Sequence, residues 1–168
     1  MPRPGGFHHV ALACKDIDAT HHFYEDLMGF PLVYTEIKRV GAGFFRHFFY
    51  DTGDGSCLAF FDVHDVGEEP DWSTAVSTAC GLPVWVNHVA FCADAEKQEE
   101  VRARMEIEGI PLHMEVDHEI FYSLYWVDPN GIMVELARDT RGIKADPERA
   151  RSLLHATRPT NESTIVEG

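Results

Sequence analysis

An α+β fold of two βαβββ modules with a C-terminal helical tail is predicted by three observations on this 168-residue chain. The segment FHHVALACKD, Phe7 to Asp16, returns as VNHVAFCADA, Val86 to Ala95, at an offset of 79 residues, so that His9 lies on His88. Each copy leads into a polar start, a helix-patterned stretch and a glycine, 20 residues after His9 and 21 after His88. Each glycine is then followed by three extended segments separated by turn residues.

In the first module (residues 1–63) the opening strand gives way to a helix over Asp18 to Met28, closed by Gly29 as a C-cap. Strands follow over Leu32 to Arg39, Phe44 to Asp51 and Cys57 to Val63, broken at Gly41-Ala42-Gly43 and at the turn Gly53-Asp54-Gly55. Residues 64–84 read as a linker with one short helix: Gly67, Glu68, Glu69, Pro70 and Asp71 open it, and Gly81-Leu82-Pro83 ends it. The second module (85–138) repeats the order with a helix over Glu96 to Glu108 capped by Gly109, then strands Leu112 to Val116, Phe121 to Val127 and Ile132 to Ala137. The last two strands join across Asp128-Pro129-Asn130-Gly131, whose Pro and Gly suit a tight turn. In the tail (139–168) Asp146 serves as N-cap and Pro147 as first helical residue of a helix running through Arg149 to His155, with loose chain from about Arg158.

Composition narrows the function. The net charge of −14, with no local Lys/Arg cluster, repels a phosphate backbone and argues against nucleic-acid binding. No apolar run reaches the roughly 18 residues of a membrane span, and MPRPGGFHHV lacks the apolar core of a secretory signal, so a cytoplasmic protein is expected. Cys14, Cys57, Cys80 and Cys92 have no metal-binding or disulfide-framework spacing and read as reduced core thiols.

Strand alternation puts Phe7, His9, Ala11 and Ala13 on one face, and Val86, His88, Ala90 and Cys92 on another. Glu135 sits between Val134 and Leu136, where an unpaired carboxylate is costly to bury, so it needs a cation or a donor. If the modules pack about a pseudo-twofold axis, positions 9 and 88 meet there and Glu135 joins them. Two imidazoles and one carboxylate on one side of an ion, with open positions on the other, is the facial arrangement of non-haem Fe(II) oxygenases. The expected fold is then a curved mixed sheet around a metal site held by His9, His88 and Glu135, with Fe(II) as the first choice and Mn(II) or Zn(II) as alternatives. His8 points to the other face.

The paired modules, the two His-Val-Ala strands and the closing motif LYWVDPNGIMVEL (Leu124 to Leu136) together resemble the vicinal oxygen chelate superfamily, from Phe7 to about Ala137. That superfamily includes glyoxalase I, extradiol ring-cleaving dioxygenases, and bleomycin and fosfomycin resistance proteins. The resemblance implies a metal-dependent enzyme acting on a small-molecule substrate. Its glyoxalase I-like members use four protein ligands, whereas this chain has Ala59 where the first module would supply its carboxylate. Extradiol enzymes carry two histidines and one glutamate, with a tyrosine-containing strand and a histidine-containing turn before the glutamate. Here Tyr125, ten residues before Glu135, matches the tyrosine that hydrogen-bonds the substrate oxygen, and His118 matches the turn histidine, giving an Fe(II) dioxygenase of a catechol-like molecule as the expectation.

One departure stands against it: the acid/base histidine that the resemblance expects near Ser56-Cys57-Leu58 is missing, with His47 and His64 as substitutes from elsewhere. Glyoxalase-like lyases or isomerases and fosfomycin-type thiol transferases, which use the same three ligand types, are the enzymatic alternatives. A metal-free binding module is the other, with Trp85, Trp126, Phe60, Phe61 and Tyr122 as its apolar pocket. A homodimer is expected, and a linker of about twenty residues permits the modules to pair within one chain or to swap between two.

Overall fold

The computed structural model describes residues 5–159, and most of the chain expected to be loose beyond Arg158 lies outside them. The first module is β1 (His9–Cys14), a helix, β2 (Leu32–Val40), β3 (Gly43–Asp51) and β4 (Cys57–His64); the second is β5 (His88–Cys92), a helix, β6 (Met114–Asp117), β7 (Phe121–Val127) and β8 (Met133–Asp139). Each forms its own four-stranded mixed sheet, in the orders β1-β4-β3-β2 and β5-β8-β7-β6. The first and last strands of each module run parallel, in matching registers: His9 pairs with Cys57 and Ala11 with Ala59, as His88 pairs with Met133 and Ala90 with Glu135.

The first helix starts one residue earlier than the sequence pattern suggests, because the Asp16 carboxylate accepts the Ala19 N–H and acts as N-cap. It is α-helical over Ile17–His21 (α1) and then widens into a π-helical segment, His22–Leu27. The widening turns the adjacent pairs Phe23/Tyr24 and Leu27/Met28 into the core together. The second helix, α2 (Ala95–Ile107), is capped by Asp94 in the same way and buries Gln98, Val101 and Met105. Buried Gln98 donates to the Tyr122 and Leu136 carbonyls at 3.0 and 2.8 Å and so fixes α2 to the backbones of β7 and β8. The linker's one helical turn is 3₁₀, Thr78–Cys80. The final helix, α3 (Pro147–Leu154), has the expected Asp146 cap and leading proline.

Strand parity divides each sheet into a core face and an open face. Val10, Leu12, Phe48, Tyr50, Leu58 and Phe60 join Val89, Phe91, Leu124, Trp126, Val134 and Leu136 around both helices in one shared core. The modules of one chain are therefore joined through their helix-covered faces. The joint is polar at its centre: Tyr24 donates its hydroxyl to Asp128 Oδ2 at 2.9 Å, and the Asn130 amide donates to Thr20 Oγ1 at 3.2 Å. Asp128 also accepts the backbone N–H groups of Asn130 and Ile132. Burial pushes its carboxyl pKa upward against these donors. Of the four cysteines only Cys14 is fully buried, with its thiol pushed up to about 12 by burial; Cys80 and Cys92 are exposed, so the expectation of core thiols fails for those two. Cys92 follows the open face of β5, and Cys80 ends a surface turn.

Replacing Asp128 strands several buried donors, each worth about 1–3 kcal/mol when unpaired. Asp128→Ala is expected to lower the unfolding free energy by roughly 3 kcal/mol or more and Tyr24→Phe by about 1 kcal/mol, measured by urea denaturation.

Candidate functional site

On the open face of the second sheet, Glu135 is 3% exposed. The Ser123 hydroxyl donates to its Oε1 at 2.5 Å, and its Oε2 lies 3.1 Å from His88 Nε2. His88 Nδ1 lies 2.9 Å from the Trp85 carbonyl. A carbonyl can only accept, so Nδ1 carries a proton and Nε2 turns towards the carboxylate. In a neutral imidazole those facing atoms are both acceptors, and a proton or a metal cation has to lie between them. Their spacing suits either case: it is that of an ordinary hydrogen bond, and ligands held at about 2.1 Å from one ion at right angles also stand about 3 Å apart. The Trp85 carbonyl would then orient the ligand histidine from behind.

Tyr125 pairs directly with Glu135 across β7 and β8 and is almost fully buried. Burial, and then the Glu135 charge, push its phenol up to about 12, so the hydroxyl keeps its proton at neutral pH. It is 3.0 Å from His118 Nε2. The turn holding His118 is pinned by the Asp117 carboxylate, which accepts the Glu119 N–H, and Glu119 takes the left-handed conformation at φ +68°.

The first sheet presents different chemistry at matching positions. By register, Ala59 corresponds to Glu135, Phe49 to Tyr125 and His47 to Ser123. His9 is exposed, with its Nδ1 2.8 Å from His8 Nδ1 and its ring against Phe49 and His47. His47 is stacked on Phe61 with ring centroids 3.8 Å apart. Burial holds its pKa below the ordinary histidine value, and its Nε2 has no partner. Glu36 stands 3.8 Å from His47 Nδ1 and pairs with Lys38. The first sheet thus offers one exposed imidazole beside an aromatic wall of Phe49 and Phe61, while the second offers two imidazoles, His88 and His118, a carboxylate and two hydroxyls.

Residues 6–136 match the Glyoxalase/Bleomycin resistance protein/Dioxygenase superfamily. The chain belongs to this superfamily. Among solved structures it is similar to a lactoylglutathione lyase from Agrobacterium tumefaciens, at 26% identity and TM-score 0.53, covering 81% of this chain and 95% of that one. It also resembles a variant of the fosfomycin resistance protein FosX from Listeria monocytogenes, complexed with Mn(II) and 1S,2S-dihydroxypropylphosphonic acid, at 18% identity and TM-score 0.56, over 88% and 98% of the two chains. A glyoxylase/bleomycin resistance protein/dioxygenase domain from Frankia sp. EAN1pec matches at 16% identity and TM-score 0.60, over 83% and 95%. No curated protein matches.

For this vicinal oxygen chelate chain, the fold brings His88, Glu135, Tyr125 and His118 into one continuous group. His9 stands on the other sheet, and among the described residues no three His, Cys, Asp or Glu side chains converge within one chain. His47 lies on the open face beside His9, whereas His64 lies at the far end of β4 and pairs with Asp62, which Arg46 also binds. Trp126 and Phe60 fill the core, while Phe61 faces the open side. Ser123 is the residue whose contact the sequence reading missed, although its parity with Tyr125 on β7 was available as a signal.

Because the Glu135 charge raises the Tyr125 phenol, Glu135→Gln is expected to let Tyr125 ionise at lower pH. Phenolate absorbance during alkaline titration, with Tyr125→Phe identifying the signal, checks this; an unmoved midpoint contradicts the coupling.

Proposed function

We propose that the protein is a divalent-metal-dependent vicinal oxygen chelate enzyme whose ion is held by His9, His88 and Glu135, and that it acts as an Fe(II) extradiol-type dioxygenase on a catechol-like small molecule. The observation that carries the reading is the His88–Glu135 pair, whose facing acceptor atoms fit a shared cation. Ala59, in the place of a second carboxylate, offers no fourth ligand and speaks against a four-ligand lyase. An Fe(II) ion held by these residues would supply open positions for oxygen ligands. Phe49 and Phe61 provide an apolar wall for an aromatic ring, Tyr125 offers its retained proton to a substrate oxygen, and His118 orients that hydroxyl from behind.

The site is completed by a second copy of the chain. The modules of one chain are joined through their core faces, so both open faces remain accessible: His9 and His88 are exposed, as are Phe7 (78%), Tyr34 (55%) and Val86 (39%). Both β1 and β5 end their sheets with one unpaired edge. Pairing the first module of one copy with the second module of another brings His9 to His88 and Glu135 and covers this apolar surface. The similarity to a lactoylglutathione lyase and to a Mn(II)-bound fosfomycin resistance protein keeps lyase and thiol-transfer chemistry on the same site as the second reading.

The deciding assay is oxygen uptake by Fe(II)-loaded protein across a set of catechols, with methylglyoxal-thiol and fosfomycin-thiol controls. Tyr125→Phe is expected to lose roughly 10- to 100-fold in turnover, about 1.4 to 2.7 kcal/mol. A loaded protein that consumes no oxygen with any catechol and turns over a control substrate favours the second reading.

The shared site makes a further prediction. His9→Ala and His88→Ala are each expected to lose metal binding. Their mixture, after unfolding and refolding together, is expected to regain it in part, because a mixed dimer holds one intact site. Absence of recovery in a mixture that does form dimers points to sites within single chains.

A further inference from the structure

We infer that Ser123 is a positioning residue that restricts Glu135 to binding metal through a single oxygen, Oε2; this rests on the metal reading above. The two carboxylate oxygens have different surroundings. Oε1 receives the Ser123 hydroxyl at 2.5 Å, within the range of a charge-assisted O–H···O⁻ bond, whereas Oε2 faces His88 Nε2 at 3.1 Å. Ser123 has no exposed surface, so water does not compete for its proton. An ionised carboxylate only accepts, so the hydroxyl is the donor.

The register makes the pairing specific. Ser123 and Glu135 face the same side from neighbouring strands, and the matching positions of the first module hold His47 and Ala59. Where the carboxylate is missing, the hydroxyl is missing too. In place of a polar pair, that module stacks the His47 ring on Phe61.

The chemical consequence concerns how many positions the ion keeps for its ligand. A carboxylate with both oxygens free can take two positions, whereas the short bond to Oε1 fixes the group's orientation and weakens that oxygen as a ligand, favouring binding through Oε2. With His9, His88 and Glu135 each giving one atom, an ion held by them would keep positions open for oxygen ligands.

The test uses Co(II) as probe, because its visible spectrum reports coordination number and geometry without any turnover. The full-length protein, Ser123→Ala and Ser123→Cys are titrated with Co(II), with far-UV circular dichroism confirming the fold of each. Ser123→Ala is expected to give a Co(II) spectrum of weaker visible absorption, the mark of a higher coordination number, because its carboxylate can then offer both oxygens. Ser123→Cys, a weaker donor of similar size, is expected to fall between the two. An unchanged spectrum in Ser123→Ala overturns the role of Ser123 and leaves the metal reading standing. A parent protein that takes up no Co(II) overturns the metal reading and this role with it.

Discussion

The buried carboxylate of Asp128 is the constraint on which the arrangement of this molecule depends. It closes the β7–β8 turn on itself through the Asn130 and Ile132 amides, and it receives the Tyr24 hydroxyl from the first module's helix. A carboxylate at that depth is tolerable only with such a set of donors. Those donors come from both halves of the chain, so meeting the needs of one side chain also decides how the modules sit. The helix-covered faces are drawn together and the open faces are left outward.

Glu135 meets the same physical demand differently. Its donor is a serine on its own sheet, and its other oxygen faces the acceptor Nε2 of His88, which leaves that contact short of a positive charge. One buried carboxylate is satisfied and serves architecture; the other faces an acceptor on its open side, where the proposed cation would sit. The first module, with Ala59 and stacked aromatic rings at the matching positions, has no such carboxylate to satisfy.

Much of the fold was legible because the repeat gave two independent readings of each element. The Asp-capped helices, the positive-φ glycines Gly29 and Gly109 after them, and the strand from Phe121 to Val127 all follow from local chemistry that short-range pattern captures. The π-helical segment was not legible, since it comes from packing Phe23/Tyr24 and Leu27/Met28 at once, a demand set by distant residues. In the candidate site, alternation put His88 on its strand face, the apolar neighbours of Glu135 marked it as a carboxylate in need of a partner, and the resemblance alone pointed to Tyr125 and His118, which lie 3.0 Å apart. The Ser123 hydroxyl was missed because the length of a side-chain contact across two strands depends on register, which is decided by the turn between them. The outward direction of the open faces was equally hidden: alternation says which residues share a face, and says nothing about which face the other module covers.

The turn at Asp128 also receives the linker. Thr74 donates to the Asn130 carbonyl at 2.8 Å, and a side chain built on Gly131 would stand 2.8 Å from Ala75 Cβ. Helix, linker and turn therefore lock within one chain before either open face has met anything. Formation of that body is a first-order event, independent of protein concentration, whereas the covering of its open faces by another molecule is second-order. If a second copy covers those faces, as proposed, dilution would separate finished bodies without unravelling them, and the folded single chain would expose faces vulnerable to unwanted association.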